Sequence, residues 1–592
     1  MKILLGSISI TYDLWLPYSS GCLISYAIHD GIADEVQFTE PLYKWLPDDE
    51  LEYRLTGIDI LGLTCYTWNQ EYNYHIAQLY KRINTAGIVI FGGPNIPLDN
   101  NMHQIFANTY PAVDCFFTGQ GEKSFVEILK LRTQPYSKWP GCFGKGFSNT
   151  PIAHQTITAD FMPQPYLDGV FDSILSKEIR IKASFETNRG CPFKCAFCDW
   201  GGTANGPVIK FSESKIKETI DFIYQHKSVT EIEILDANFG MHRRDLDTVN
   251  SMVAAKNKHS NNPNVSYSGL VKNGSPYLVD IINIIHNQLG AERRHLKLSF
   301  QTHSTTTLET VLRDNIKNDK LLSMIDQLTN CGVNISSEMI IALPGETAMS
   351  WLQSQEIDYN HGISFMRTYI LSLVCNTKLY DAEYRATHNI KSKRILIPYG
   401  MKDIPRQKLI DDPLYTLYDV SAYETGEIIH QCNSFDIIEL KTMFRYFWYY
   451  HNFYNSRAFH ATIKLLNDNG IGIVQQVLDF YDKLDLDSII GKLIVNTDMI
   501  IEKIYGDEPF TVLNDYASYR FYSGSLRTND LYTMLINKHT VAEQLIHQLM
   551  IQYPGIANIQ DTVMQDINSW ISATDLQSVY KLFGMGSSIK NG

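Results

Sequence analysis

Three cysteines stand close together in this sequence, with a spacing that suits metal binding. Cys191, Cys195 and Cys198 follow a C-x3-C-x2-C pattern within residues 186–200. Three thiolates from one short loop fit three irons of a cubane 4Fe–4S cluster and leave the fourth iron open to another ligand. A structural zinc site needs four protein ligands, and no fourth cysteine follows at a short spacing. A zinc site completed by His242, or a loop without metal, stays the alternative.

The cysteine run resembles the signature of the radical S-adenosylmethionine (SAM) enzymes, including the aromatic Phe197 just before the last cysteine. In that family the amino and carboxylate groups of SAM bind the open iron. The resemblance implies that an electron from the cluster cleaves SAM to methionine and a 5′-deoxyadenosyl radical. The cofactors would carry the difficult chemistry, while the protein would orient them and exclude water.

Length and composition predict a large cytoplasmic enzyme of several domains. The chain has 592 residues and a formal net charge of −13, with no basic run, which argues against nucleic acid or an anionic membrane as a partner. We expect no signal peptide, and no membrane segment because no stretch of about eighteen apolar residues occurs. Seven of the ten cysteines are scattered singly, which fits reduced thiols and argues against a second cluster.

The first part of the chain alternates strand-like apolar runs with helical stretches. The runs are 2–10, 58–63, 88–91 and 113–117, and residues 72–86 have helical spacing. This alternation predicts a parallel, doubly wound sheet. Small and turn-forming residues follow the strands, at the edge where such sheets bind ligands. Without a G-x-G-x-x-G fingerprint after the first strand, we expect no nicotinamide or flavin dinucleotide.

These segments together resemble the cobalamin-binding domain that precedes the barrel in one branch of the radical SAM enzymes. The D-x-H-x-x-G motif that supplies an axial histidine in other cobalamin proteins is absent, so the resemblance implies cobalamin with no histidine on cobalt. Trp68 would cover the lower cobalt face, and a core or rim aromatic is the alternative. The residues implied to bind cobalamin are Thr64, Cys65, Tyr66, Thr67, Trp68, Asn69, Gly92, Gly93, Pro94, Gly119, Gly121 and Glu122.

From residue 181 the alternation resumes, and the six strands of a (β/α)6 partial barrel can be followed. They are expected at 183–187, 231–235, 264–269, 296–301, 333–341 and 368–374. Barrel enzymes assemble their sites at the carboxyl ends of the strands. By position in the family, the residues implied to bind SAM are Phe197, Asp236, Asn238, Ser299, Gln301, Glu338, Leu343, Pro344 and Asn376. A strand-end polar residue that only caps the next helix is the alternative for each.

The sequence thus predicts an α/β protein with a helical addition. A Rossmann-like doubly wound sheet occupies residues 1–135, a linker 136–180, a (β/α)6 partial TIM barrel 181–385 and a mainly helical domain 386–592. A helix is expected at 436–450, where the aromatic spacing is more typical of core than of a substrate cage. By resemblance, the last domain would close over the barrel and contact the substrate. No catalytic residue is identified.

The resemblance implies a cobalamin-dependent radical SAM methyltransferase that methylates an unactivated carbon of a small molecule or peptide. One SAM would methylate cobalamin, and a second would yield the radical. A flavodoxin- or ferredoxin-like donor would supply electrons to a monomer that binds neither nucleic acid nor membrane. Two alternatives stay open: an enzyme with the same cofactors that catalyses cyclisation, ring contraction or another rearrangement without net methyl transfer, and a non-catalytic corrinoid-binding or sensing protein.

Overall fold

The computed structural model describes residues 1–9, 14–149, 162–200, 208–269, 275–289, 295–396, 424–506, 530 and 533–569. The first part of the chain folds as a seven-stranded sheet between two apolar cores. Its strands are β1 Lys2–Gly6, β2 Gln37–Phe38, β3 Ile60–Thr64, β4 Ile88–Gly92, β5 Cys115–Phe117, β6 Cys142–Gly144 and β7 Phe147–Ser148. Its helices are α1 Tyr18–Asp30, α2 Asp48–Leu55, α3 Gln70–Ile83, α4 Asn100–Thr109 and α5 Gly121–Lys130.

This sheet is doubly wound, as the sequence predicts. Its order is β2-β1-β3-β4-β5-β6-β7, and β1 to β5 pair in parallel. Alternate residues of β1 enter opposite cores, Leu4 on one side and Ile3 and Leu5 on the other. Ligands bind such sheets where the winding changes direction, which here is between β1 and β3. The antiparallel strands β6 and β7 extend the sheet with residues that the sequence assigns to the linker.

The second part contains the six parallel strands of the predicted partial barrel, as two three-stranded sheets of order β12-β11-β8 and β13-β14-β15. The strands are β8 Ile181–Phe185, β11 Val229–Ile234, β12 Asn264–Tyr267, β13 His295–Gln301, β14 Asn334–Ile341 and β15 Phe365–Ile370, with a short pair, β9 Asn188–Arg189 and β10 Ile209–Lys210, after β8. The helices are α6 Asp172–Leu175, α7 Glu213–Gln225, α8 Arg243–His259, α9 Leu278–Gln288, α10 Thr305–Thr310, α11 Asn318–Asn330 and α12 Ala348–Asn360. Each predicted strand overlaps one of the six.

The third part is mostly helical and begins with an antiparallel sheet. Its elements are β16 Ser372–Leu373, α13 Ala382–Thr387, β17 Lys391–Leu396, β18 Thr425–Gln431, α14 Ile437–Tyr449, a π-helix Tyr450–Asn455, α15 His460–Asp468, α16 Ile473–Asp482, α17 Ile489–Tyr505, α18 Lys538–Gln552 and α19 Ile559–Ser569. The predicted helix at 436–450 is present, and the aromatic side chains of 444–450 are buried as core. In the described part of the chain, no helix is both long and apolar enough to cross a bilayer.

The helical part covers the open edge of the partial barrel. Strand β15 ends its sheet, so one side of its backbone has no neighbouring strand among the residues that the structure describes. Asn455, in the π-helix, accepts a hydrogen bond from Met366 N at 2.9 Å and donates one to Met366 O at 2.7 Å. One side chain therefore satisfies the backbone groups of an edge residue, which would be costly to bury unpaired.

Glu424 connects the third part of the chain to the first. Its carboxylate accepts hydrogen bonds from Glu71 N at 3.1 Å and Tyr72 N at 3.0 Å, in the first turn of α3. These are among the N–H groups that a helix leaves unpaired at its N-terminus. Glu424 is buried, and burial raises its pKa to about 8.

Glu424→Gln is expected to flatten the pH dependence of stability between pH 4.5 and about 8. Because the pKa of this carboxyl is higher in the folded state, the folded protein holds the proton longer, and stability falls as pH rises through this window. One proton contributes a slope of at most about 1.4 kcal/mol per pH unit. Urea unfolding at several pH values measures the slope, with the exposed Glu50→Gln as control. An equal slope in Glu424→Gln and wild type would contradict this expectation.

Candidate active site

The cysteine loop follows β8 and is pinned to the barrel on two sides. Ala196 N donates to Val311 O at 2.8 Å, and Leu379 N donates to Ala196 O at 2.9 Å. Cys191 and Cys195 are buried, and Cys198 is half-buried. In the described residues, no three His, Cys, Asp or Glu side chains are arranged to hold a single metal ion.

Asp236, which follows β11, fixes the point where the cysteine loop leaves the barrel. Its carboxylate accepts hydrogen bonds from Thr187 N at 2.7 Å, from Asn188 N at 3.3 Å and Asn188 Nδ2 at 2.7 Å, and from the Thr187 hydroxyl. Asp236 is fully buried, and burial raises its pKa to about 7. It does not cap the next helix, because His242 is the N-cap residue of α8. The hydrogen bonds of Asp236 to Thr187 and Asn188 are thus observed, while a contact of Asp236 with SAM stays a prediction.

Unpaired buried acceptors lie in the cysteine loop and at the carboxyl ends of barrel strands, and they fit a ligand that donates hydrogen bonds. Asn238 Nδ2 donates to Cys191 Sγ at 2.9 Å, while Asn238 Oδ1 is buried without a partner. Asp199 Oδ1 and Gln301 Oε1 are also buried and unpaired. Since nearly all buried polar atoms in proteins are paired, these oxygens suit the amino group or ribose hydroxyls of a bound ligand such as SAM.

The two barrel sheets turn polar faces toward each other. On one sheet, Ser299 Oγ donates to Glu338 Oε2 at 2.6 Å, and Lys297 Nζ lies 3.8 Å from Glu338 Oε1. On the other, Ser268 Oγ donates to Glu233 Oε1 at 2.8 Å. Burial raises the pKa of Glu233. The positive charge of Lys297, which lies on the opposite sheet, acts against this increase. The space between the sheets is therefore lined by charged and hydroxyl groups and suits a polar ligand.

Three further residues that the sequence assigns to SAM binding are not part of these polar faces: Leu343, Pro344 and Asn376. Leu343 and Pro344 are buried. Asn376 ties the end of the barrel to the loop after β4: its Nδ2 donates to Pro94 O at 2.9 Å, and its Oδ1 accepts from Leu98 N at 2.7 Å. The structure thus shows a connection between two parts of the chain, and contact of these residues with SAM stays a prediction.

Residues 64–69 form a tightly fixed loop at the carboxyl end of β3. Cys65 N donates to Gly92 O at 2.6 Å. Gly93 has φ +125°, and a Cβ there would lie 2.8 Å from Cys65 O, so only glycine fits this approach. The rings of Tyr66 and Trp68 stack at 4.5 Å and 13°, and Trp68 is half-buried. A rigid loop with a flat aromatic platform fits the underside of a planar macrocycle.

Asn69 closes this loop and holds it to the strand end. Its Oδ1 accepts from Tyr66 N at 2.9 Å, and its Nδ2 donates to Thr64 Oγ1 at 3.1 Å. Thr67 is half-buried beside these groups. Gly119 and Gly121, also assigned to cobalamin, follow β5, which is two strands from β3 in the same sheet.

The two candidate sites meet in one buried ion-pair network. Arg189 Nη1 lies 2.7 Å from Glu122 Oε1, at the start of α5, and Arg189 Nη2 lies 2.8 Å from Glu186 Oε2. Arg189 is two residues before Cys191. Burial and the nearby charge of Glu186 raise the pKa of Tyr66, in the 64–69 loop, to about 12. The loop after β3 and the start of the cysteine loop are therefore neighbours.

Sequence reasoning missed two arginines in this region. Arg189 belongs to the cysteine run itself. Because this positively charged residue follows an apolar strand closely, a carboxylate partner for it could have been predicted. Arg313 is buried and directs Nη1 toward Cys195 Sγ at 3.8 Å. It lies 118 residues from Cys195, and no local pattern marks it.

Comparisons with known proteins agree on one group of enzymes. No family model matches the chain. It is 28% identical over 490 residues to the cobalamin-dependent radical SAM methyltransferase TokK of Streptomyces tokunonensis, covering 79% of this chain and 67% of the relative. It is 26% identical over 519 residues to 2-(S-pantetheinyl)-carbapenam-3-carboxylate methyltransferase of Streptantibioticus cattleyicolor, covering 83% and 71%.

Two solved structures share the fold. TsrM from Kitasatospora setae with cobalamin and an iron–sulfur cluster aligns with TM-score 0.51 and 13% identity, over 72% of this chain and 87% of that one. The cobalamin-dependent radical enzyme OxsB with aqua-cobalamin and SAM aligns with TM-score 0.51 and 14% identity, over 96% and 83%. At these identities the likeness shows the architecture alone.

Proposed function

We propose that this chain, like its relative TokK, is a cobalamin-dependent radical SAM methyltransferase. It would methylate an unactivated carbon of a small, anionic molecule between its sheet and its barrel. When bound, the cluster and SAM supply a carbon radical and cobalamin supplies the methyl group. Cys191, Cys195 and Cys198 would hold the cluster. Asn238 would orient SAM, and residues 64–69 would lie beneath the corrin.

The observation that carries the proposal is the buried contact between the two candidate sites. Methylation of an unactivated carbon needs that carbon to face both cofactors at once, so the two sites must keep a fixed separation. The ion pairs of Arg189 with Glu122 and Glu186 hold the sheet edge against the cysteine loop. Asn376 makes a second connection between the same two parts.

The relative from Streptantibioticus acts, by its name, on a carbapenam carboxylate that carries a pantetheinyl thioether, and we propose a substrate of this class. Arg367, on β15, is half-buried and donates to Tyr369 OH at 3.3 Å. Among the described residues it forms no ion pair within 4.0 Å, which suits a guanidinium that receives a substrate carboxylate. We further propose a flavodoxin- or ferredoxin-like donor and a cytoplasmic monomer.

Product mass tests the proposal. The enzyme, reconstituted anaerobically with iron, sulfide, cobalamin and a reductant, is incubated with SAM and the pantetheinyl carbapenam. We expect a product heavier by one CH2 unit, and a higher KM for this carboxylate in Arg367→Gln. A product of unchanged mass formed together with 5′-deoxyadenosine would instead support a rearrangement.

Cobalamin bound to this protein is expected to lack a histidine ligand on cobalt. The D-x-H-x-x-G motif is absent, and the 64–69 loop contains no histidine. Electron paramagnetic resonance of the Co(II) form should therefore show no nitrogen superhyperfine splitting. A threefold splitting from an axial imidazole would contradict the assignment of this loop.

Trp68→Ala is expected to slow methylation of cobalamin at least tenfold while cluster content and SAM cleavage stay near wild type. The indole of Trp68 would keep water away from bound cobalamin, and its removal would make reduction of the cofactor harder. Stopped-flow absorption follows the cobalt state, and the exposed Tyr53→Ala is the control. Loss of the cluster in Trp68→Ala would indicate that this side chain belongs to the core between the sheet and the barrel. If neither cobalamin methylation nor cluster content changes, the side chain lies only at the rim.

A further inference from the structure

Arg313 carries a positive charge into the interior beside the cysteine loop. Its side chain follows α10 and is 5% exposed. Across the described ranges, no carboxylate lies within 4.0 Å of it. The preceding residue, Leu312, adopts φ +55°, an uncommon backbone conformation for leucine. A buried charge is costly unless another charge balances it, so this position calls for an anionic neighbour.

Two hydrogen bonds fix the direction of the guanidinium. Arg313 Nε donates to Asn315 Oδ1 at 2.8 Å, and Nη2 donates to Ser299 O. Asn315 is held in turn, because its Nδ2 donates to Phe300 O and Thr302 O, each at 2.9 Å. The end of β13 therefore orients both side chains, and this orientation directs Nη1 toward the cysteine loop.

The Nη1 group of Arg313 faces a cysteine sulfur. Arg313 Nη1 lies 3.8 Å from Cys195 Sγ, and the guanidinium carbon lies 6.0 Å from the centre of the Phe197 ring. The group that faces this buried charge is therefore the sulfur of Cys195, in the loop that carries all three cysteines.

We propose that Arg313 is a positioning residue for the cluster. The positive charge of Arg313 would balance the three thiolates and make the one-electron reduction of the cluster easier. This inference rests on the proposed assignment of the cysteines to the cluster. The electron comes from the external donor, and no bond is made or broken in the step. A fixed cation beside the thiolates stabilises the reduced, more negative cluster, since charge and hydrogen bonds to sulfur set the potentials of such clusters.

Two substitutions separate charge from hydrogen bonding. Arg313→Lys keeps the charge, and Arg313→Gln keeps an N–H donor without the charge. Arg445→Gln, which removes an ion pair with Asp498 in α17, is the distant control. Each full-length protein is reconstituted with iron and sulfide, its iron content and circular dichroism are measured, and its cluster is titrated by spectroelectrochemistry.

We expect Arg313→Gln to lower the equilibrium constant for reduction about tenfold, a shift of about 59 mV for one electron. Arg313→Lys and Arg445→Gln should stay close to wild type. A folded Arg313→Gln that loses iron while Arg313→Lys keeps it would also support the charge requirement. Equal potentials in all four proteins, or loss of iron in both folded Arg313 variants, would overturn it. Absence of a cluster from the wild type would instead defeat the proposed function.

Discussion

Alanine in place of Cys191, Cys195 or Cys198 should abolish both the visible iron–sulfur absorption and the cleavage of SAM. A cubane held by three thiolates has no spare ligand, and without the cluster no electron reaches SAM. Iron and sulfide analysis and the yield of 5′-deoxyadenosine measure the two effects. The exposed Cys331→Ala is the matched control and should keep both. Retention of about four irons per chain in a triple variant would show that the motif is misread.

Arg189→Met should destabilise the protein by about 3–5 kcal/mol. It leaves Glu122 and Glu186, whose side chains are 6% and 15% exposed, without the cation between them. Urea unfolding measures the loss, and cobalamin binding should weaken with it because Glu122 begins α5 at the sheet edge.

A double-mutant cycle separates the ion pair from other effects of Arg189. Adding Glu122→Gln to Arg189→Met should recover part of the stability, since one uncompensated charge is then removed. Arg132→Met is the surface control: its partner Glu35 has a side chain that is 59% exposed, so the cost should stay below about 1 kcal/mol. Equal costs for Arg189→Met and Arg132→Met would contradict the interdomain role of Arg189.

Features that depend on local pattern could be predicted from the sequence. The apolar runs of β3 and β4 enter two cores at once, and the resulting continuous apolar stretches identify parallel strands. The cysteine spacing places three thiolates on one loop because all three lie within eight residues. The short strands β6 and β7 were missed, since runs of two and three residues carry too little periodicity.

Features that depend on distant pairing could not be predicted. Asn455 covers the edge of β15 from 89 residues away, and Glu424 caps α3 from more than 350 residues away. Neither residue has a local signal, because a polar side chain that pairs with backbone looks like any surface residue in sequence. The strand-end rule selected Asp236 and Asn238 as SAM-binding residues, which stays a prediction. Only the structure shows that Asp236 holds the start of the cysteine loop and that Asn238 contacts Cys191.

The stoichiometry of the two SAM products tests the central claim most directly. The wild-type enzyme, reconstituted with cluster and cobalamin, is supplied with reductant, the pantetheinyl carbapenam and SAM with a trideuterated methyl group. We predict one S-adenosylhomocysteine and one 5′-deoxyadenosine for each methyl added, with the three deuterons retained in the product. Turnover that yields 5′-deoxyadenosine without S-adenosylhomocysteine, or neither compound, would contradict a cobalamin-dependent radical methyl transfer.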